Sequence, residues 1–174
     1  MEPSDVHLIQ STLAGDDGAF AMLVARHRRR VFRLAGRFTR NDHELDDVCQ
    51  EIFIKVYRHL GTYRADAPFE HWLARIAVRA CYDLLRRRRR PEEPLLDIDL
   101  ASEDNLAPAQ AKELLDWALA QLPAEDQLVI TLLELEEQPV CAIAELTGWS
   151  ESKVKVRAFR ARHRLKCILE TTHE

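Results

Sequence analysis

Residues 68–90 read PFEHWLARIAVRACYDLLRRRRR, and the spacing of their apolar members decides what they form. Phe69, Trp72, Leu73, Ile76, Ala77, Ala80, Cys81, Leu84 and Leu85 recur at steps of three and four, the stripe of an amphipathic α-helix with one side in a core. His71, Arg75, Arg79, Tyr82 and Arg86 recur at the same steps on the other side, giving a basic face with an aromatic ring in it. The helix runs out into Arg86, Arg87, Arg88, Arg89 and Arg90. The macrodipole favours cations at a helix C-terminus, but five adjacent guanidinium groups repel one another by more than it returns. An external polyanion explains the run best, and a nucleic-acid backbone is the obvious candidate.

Outward from this helix the same period dominates. A chain of 174 residues with seven prolines, five glycines and almost no alternating apolar pattern reads as all-α. No apolar run approaches the length of a bilayer span, and MEPSDVHLIQ at the start lacks the regions of a signal peptide, so a cytoplasmic protein without membrane insertion is expected. Cys49, Cys81, Cys141 and Cys167 are widely spaced, the first two on apolar stripes, and read as buried thiols. Neither CxxC nor HxxxH occurs, so neither metal nor cofactor is expected. The net charge of −4 hides a segregation: 17 basic against 12 acidic residues in 1–90, 1 against 14 in 91–145, and 7 against 3 in 146–174. Local field governs polyanion binding, so the acidic middle does not exclude nucleic acid.

Before residue 68, Ser4 caps a short helix to Leu13, and a second helix runs from Ala19 with arginines 26, 28, 29, 30, 33 and 37 mostly outside. Asn41 with Glu44 resembles a capping box and opens a helix whose inner stripe is Leu45, Val48, Cys49, Ile52, Phe53, Val56, Tyr57 and Leu60. Asp46, Asp47, Gln50 and Glu51 cluster outside its first turns. They either compensate the helix dipole or form a docking face for a basic partner helix. Residues 61–67, GTYRADA, carry Tyr63 and Arg64 to the edge of the basic helix face. Tyr63 there is either a stacking platform for unstacked bases or a lid on the core.

After residue 90 the pattern breaks. PEEPLLDIDLASEDNLAP, residues 91–108, holds three prolines and six acids and reads as an acidic flexible linker between a domain of residues 1–90 and one of residues 109–174. In VCAIAELTGWSESKVKVRAFRARHR, residues 140–164, Ala144, Gly148 and Val154 stand where a helix-turn-helix needs a small residue, a left-handed glycine and an apolar anchor. Val154, Ala158, Ala161 and Leu165 form the inner stripe of its second helix. Lys153, Lys155, Arg157, Arg160 and Arg164 lie outside it, cations that can reach phosphates and guanine edges.

With DDVCQEIFIKVYRHLGTYRADAPFEHWLARIA at 46–77, the arginine run, and LPAEDQLVITLLELEEQPVCAIAELTGWSESKVKVRAFRARHRL at 122–165 in view, the chain resembles the extracytoplasmic-function group of sigma factors, in the sigma-70 family of bacterial RNA polymerase. It looks like the minimal form with two regions and a short linker. The resemblance implies a promoter-specificity subunit for transcription initiation, not an enzyme, with core RNA polymerase, promoter DNA and an anti-sigma factor as partners. It implies that Asp46, Asp47, Gln50 and Glu51, with Phe53 beneath, dock on the clamp helices of the largest polymerase subunit. Residues 63–69 with His71, Arg75 and Arg79 then serve the minus-ten element and its melting, and Lys155, Val156, Phe159 and Arg160 the minus-thirty-five element. Relatives often carry Asn where Arg79 stands and a small polar residue where Val156 stands. A stand-alone helix-turn-helix regulator is the alternative, but it needs a dimerising or ligand-binding domain, and the first domain offers an acidic and a basic face instead.

Overall fold

The computed structural model of the chain describes residues 3–88 and 108–171, and every regular element among them is helical. They fall into two compact units, one built on the residues up to Leu84, the other on Leu85–Ala144 and the chain from Gly148. The expected linker lies outside the described residues except for Pro108, as do Arg89 and Arg90. No helix among the described residues is long and apolar enough to cross a membrane.

The first unit holds α1 (Asp5–Leu13), α2 (Asp17–Ala35), α3 (Asp42–His59) and most of α4 (Phe69–Arg88). Their starts follow from short polar side chains that satisfy the open N–H groups of the first turn, each cap contributing about 1 kcal/mol. Ser4 Oγ accepts from the His7 N–H at 3.3 Å. Asp16 Oδ1 accepts from Gly18 and Ala19, so α2 begins at Asp17 rather than at the expected Ala19. Asn41 Oδ1 accepts from the Glu44 N–H at 2.9 Å, and the Glu44 carboxylate reaches back to the Arg40 N–H at 2.7 Å. That reverse arm bonds one residue ahead of the cap, a shifted form of the expected capping box.

Helix α2 packs on both α1 and α3. Leu23, Val31, Phe38, Ile52, Val56, Leu60 and Leu73 are all buried. Helix α4 lies along α2, where Val31, Leu34, Leu73 and Ala77 line one seam and the Phe69 ring meets the His27 ring edge-on at 5.2 Å. Tyr57 departs from its expected place in the α3 stripe. Its ring stands half exposed at the rim, edge-on to Phe20 at 4.9 Å.

The second unit includes α5 (Pro108–Ala120), α6 (Ala124–Ile130) and α8 (Glu151–Thr171), with α7 (Val140–Thr147) as far as Ala144. Leu119, Leu122, Ile130 and Ala161 make a buried cluster, flanked by Leu135, Leu165 and Ile168. Truncating a core leucine such as Leu122 to alanine costs about 2–5 kcal/mol at sites of this kind. Pro123 separates α5 from α6, and α6 widens into a π-helical segment, Thr131–Leu135. Gly148 stops α7 with φ 75° and returns its N–H to the Ala144 carbonyl at 2.9 Å, a left-handed cap that a side chain would strain. Ser150 Oγ then accepts from the Lys153 N–H and starts α8.

Candidate nucleic-acid and protein-docking interfaces

On α3, Asp46, Asp47 and Gln50 are exposed, and Asp47 meets His43 Nδ1 at 3.2 Å one turn back. Glu51 lies further round and pairs with Lys55 at 2.8 Å, whose ammonium also stands 3.6 Å from Asp83 of α4. Phe53 is half-buried. With Gln50 it lines an apolar groove of about 380 Å³ whose other walls are Phe20, Ile54, Tyr57 and Arg58. The structure therefore joins the expected acidic patch to an apolar furrow. The sequence hid that furrow, because Tyr57 falls on the inner stripe and Ile54 reads as an isolated apolar residue.

His71, Arg75, Arg79 and Arg86 are all exposed on α4, at steps of four, four and seven that keep them on one side. Arg64 is exposed in the loop before it. Tyr63 is half-buried: its ring stands edge-on to Phe69 and tilted against Trp72, and its hydroxyl donates to the Ala67 carbonyl at 2.7 Å. Burial first, then the carboxylates of Asp5 and Asp66, push that hydroxyl above the ordinary tyrosine value. Tyr63 thus closes its own loop and covers the Phe69–Trp72 pair, while Ala65 takes the left-handed φ of 58° that turns the chain.

Sequence reasoning missed the support beneath this face. His27 is buried in α2, with Nε2 at 2.9 Å from Asp5 of α1, and Asp5 also holds Arg26 at 2.5 Å. Arg30 pairs with Glu70 at the start of α4. Part of the arginine row on α2 is therefore spent on structure.

The seven residues expected on α8 part into two groups. Lys155, Val156, Phe159 and Arg160 stand outside, with Phe159 72 % and Val156 49 % exposed; Lys155 makes a one-turn contact to Glu151 at 3.3 Å. Lys153 and Arg157 are half-buried and Arg164 is exposed as expected, and each of the three meets Glu125 or Asp126 of α6. Those two acids look like part of the acidic middle in sequence. A signal was nonetheless there, in three cations at 153, 157 and 164 on a single helical stripe.

Burial of the four thiols divides evenly: Cys49 and Cys81 are buried as expected, whereas Cys141 and Cys167 are exposed. No group of three or more His, Cys, Asp and Glu side chains among the described residues is arranged to hold a metal.

An aromatic-topped basic face, an acidic face with an apolar groove, and a helix-turn-helix with an exposed apolar–basic stripe suit binding to DNA and protein. Comparison with known proteins agrees. Residues 23–91 match the family model described as Sigma-70 region 2, and residues 112–165 match Sigma-70, region 4. The chain is 35 % identical to the ECF RNA polymerase sigma factor SigM of Mycobacterium tuberculosis, over 97 % of this chain and 86 % of that one. It is 31 % identical to the ECF RNA polymerase sigma-E factor of Escherichia coli K12, over 91 % of each. Among solved structures it is similar to CnrH in complex with the cytosolic domain of CnrY, with TM-score 0.63 and 28 % identity over 94 % of this chain and 96 % of that one.

Proposed function

The chain belongs to the extracytoplasmic-function sigma factors of RNA polymerase, and from that premise we propose how its faces share the work of promoter-specific initiation. It is an initiation factor and not an enzyme. Its binding energy has to select a promoter, hold it on the polymerase and offset the few kcal/mol lost when a base leaves the stack.

Asp46, Asp47 and Gln50, with Phe53 in the adjoining groove, dock on the clamp helices of the largest polymerase subunit, and Glu51 contributes from the edge of that patch. Tyr63, Arg64, His71, Arg75, Arg79 and Arg86 bind the minus-ten DNA and keep it open. Lys155, Val156, Phe159 and Arg160 read the minus-thirty-five element in the duplex. Residues 1–90 and 109–174 form the two working domains, with residues 91–108 as the linker. An anti-sigma protein covers some of the same surfaces, as the pairing of CnrH with CnrY suggests by analogy. The protein acts in the cytoplasm, where the polymerase is. A stand-alone regulator is not favoured, because likeness to sigma factors extends over nearly the whole chain.

The observation that carries the upstream reading is the open row on α8, where an aromatic ring and an arginine project opposite the buried Val154, Ala158 and Ala161. Such a row can enter a major groove. An arginine bidentate to guanine contributes about 1–3 kcal/mol of discrimination, whereas Val156 has only a methyl surface to offer, suited to a thymine methyl. Polymerase loaded with the Arg160→Ala protein should select a less defined upstream element from a randomised pool. An unchanged selected sequence would remove α8 as the reader.

A further inference from the structure

Glu125 and Asp126 open α6 and hold three cations of α8. Asp126 is fully buried, yet its two carboxylate oxygens accept from different arginines: Oδ1 from Arg157 Nη1 at 3.3 Å, and Oδ2 from Arg164 Nη1. Glu125 accepts from Lys153 Nζ at 2.9 Å through Oε1 and pairs with Arg157 through Oε2. The Lys153 ammonium also lies over the Trp149 ring, 3.9 Å from its centroid. At 3.6 residues per turn, positions 153, 157 and 164 fall within about 40° of one another, so the acids grip one stripe. It runs along the flank of α8, between the buried row and the open row of Lys155, Val156, Phe159 and Arg160.

A carboxylate removed from water is tolerated only when charged donors meet it, and here both oxygens have one. Those donors are then spent within the protein. A lysine or arginine on a DNA phosphate strengthens binding to every sequence alike and steepens its salt dependence, because each contact releases counterions.

Building on the assignment of α8 as the duplex reader, we infer that Glu125 and Asp126 are positioning residues for promoter discrimination. They fix the roll of α8 that presents the open row to base edges, and they withhold Lys153, Arg157 and Arg164 from the phosphates. The sequence-independent part of the affinity stays small, and base readout decides which promoter is bound.

The test uses the full chain loaded on core polymerase and duplex promoter fragments that differ only in the upstream element, one selected and one scrambled, across a salt series. Asp126→Asn keeps the shape and one carbonyl oxygen but loses the charge. Freeing Arg164, while Glu125 still holds Arg157, should tighten binding to the scrambled fragment, lower the selected-to-scrambled ratio severalfold and steepen the log–log salt slope by about 1. Arg164→Gln, by contrast, should leave the salt slope as it is, since its guanidinium is held by Asp126 and not by a phosphate. An Asp126→Asn protein of native helicity with unchanged ratio and slope would overturn the inference. So would an Arg164→Gln protein that binds both fragments more weakly with a slope shallower by about 1. The Arg164→Gln arm decides alone if Asp126→Asn does not fold. A native protein with no preference between the fragments would instead remove α8 as reader, and this inference with it.

Discussion

Cys49 shows at the scale of one residue how much its surroundings determine. Burial first, then Asp46, push its thiol from 9.0 to about 11, against a smaller pull downward from Arg28. The neutral thiol is the folded form. Its contribution to stability is therefore whole below pH 9 and fades as pH rises through about 11. Iodoacetamide at pH 8 should modify Cys141 and Cys167 quickly, and Cys49 and Cys81 only after denaturant is added; a third fast thiol in the folded protein would contradict the packing of α3 or α4. The two buried cysteines were legible in sequence because they sit on long apolar stripes. Other residue-scale features were not. His27 and Asp5 meet across 22 positions of chain, and nothing local marks Asp126 as an acid that loses all contact with water.

At the scale of elements, most of what the structure shows follows from period and punctuation. The 3.6-residue stripes place α3, α4 and α8, and Ser4, Asn41, Gly148 and Ser150 mark ends the structure keeps. The start of α2 shifted because Asp16, in what reads as a turn, is in fact a cap. Gly148 gives this scale its clearest prediction. With φ at 75°, Gly148→Ala should destabilise the second unit by more than about 1 kcal/mol and misalign α8, so thermal melting should fall together with binding to the upstream element. A native melting curve would mean the turn tolerates a side chain. For α3 the exposed acids can be tested more cleanly than Glu51, which Lys55 occupies. Asp46→Arg with Asp47→Arg should abolish binding to core polymerase while helical content stays native. Retained affinity for core would move the docking face elsewhere.

For the whole molecule, counting separates two basic stretches from an acidic middle, but the faces are finer than that: acids outside α3 and arginines outside α4 share residues 1–90, and an apolar–basic row lies outside α8. What counting could not give is which charges are spent internally, since ion pairs such as Arg30–Glu70 and Arg164–Asp126 join residues far apart in sequence. The central claim is that this chain, added to core RNA polymerase, confers promoter-specific initiation. Run-off transcription from a pool of genomic promoter fragments, with purified core polymerase and with or without the protein, tests it most directly. Discrete transcripts that depend on the added chain, and that disappear with the Asp46→Arg, Asp47→Arg protein, are the predicted result. Transcripts identical with and without the chain would contradict it.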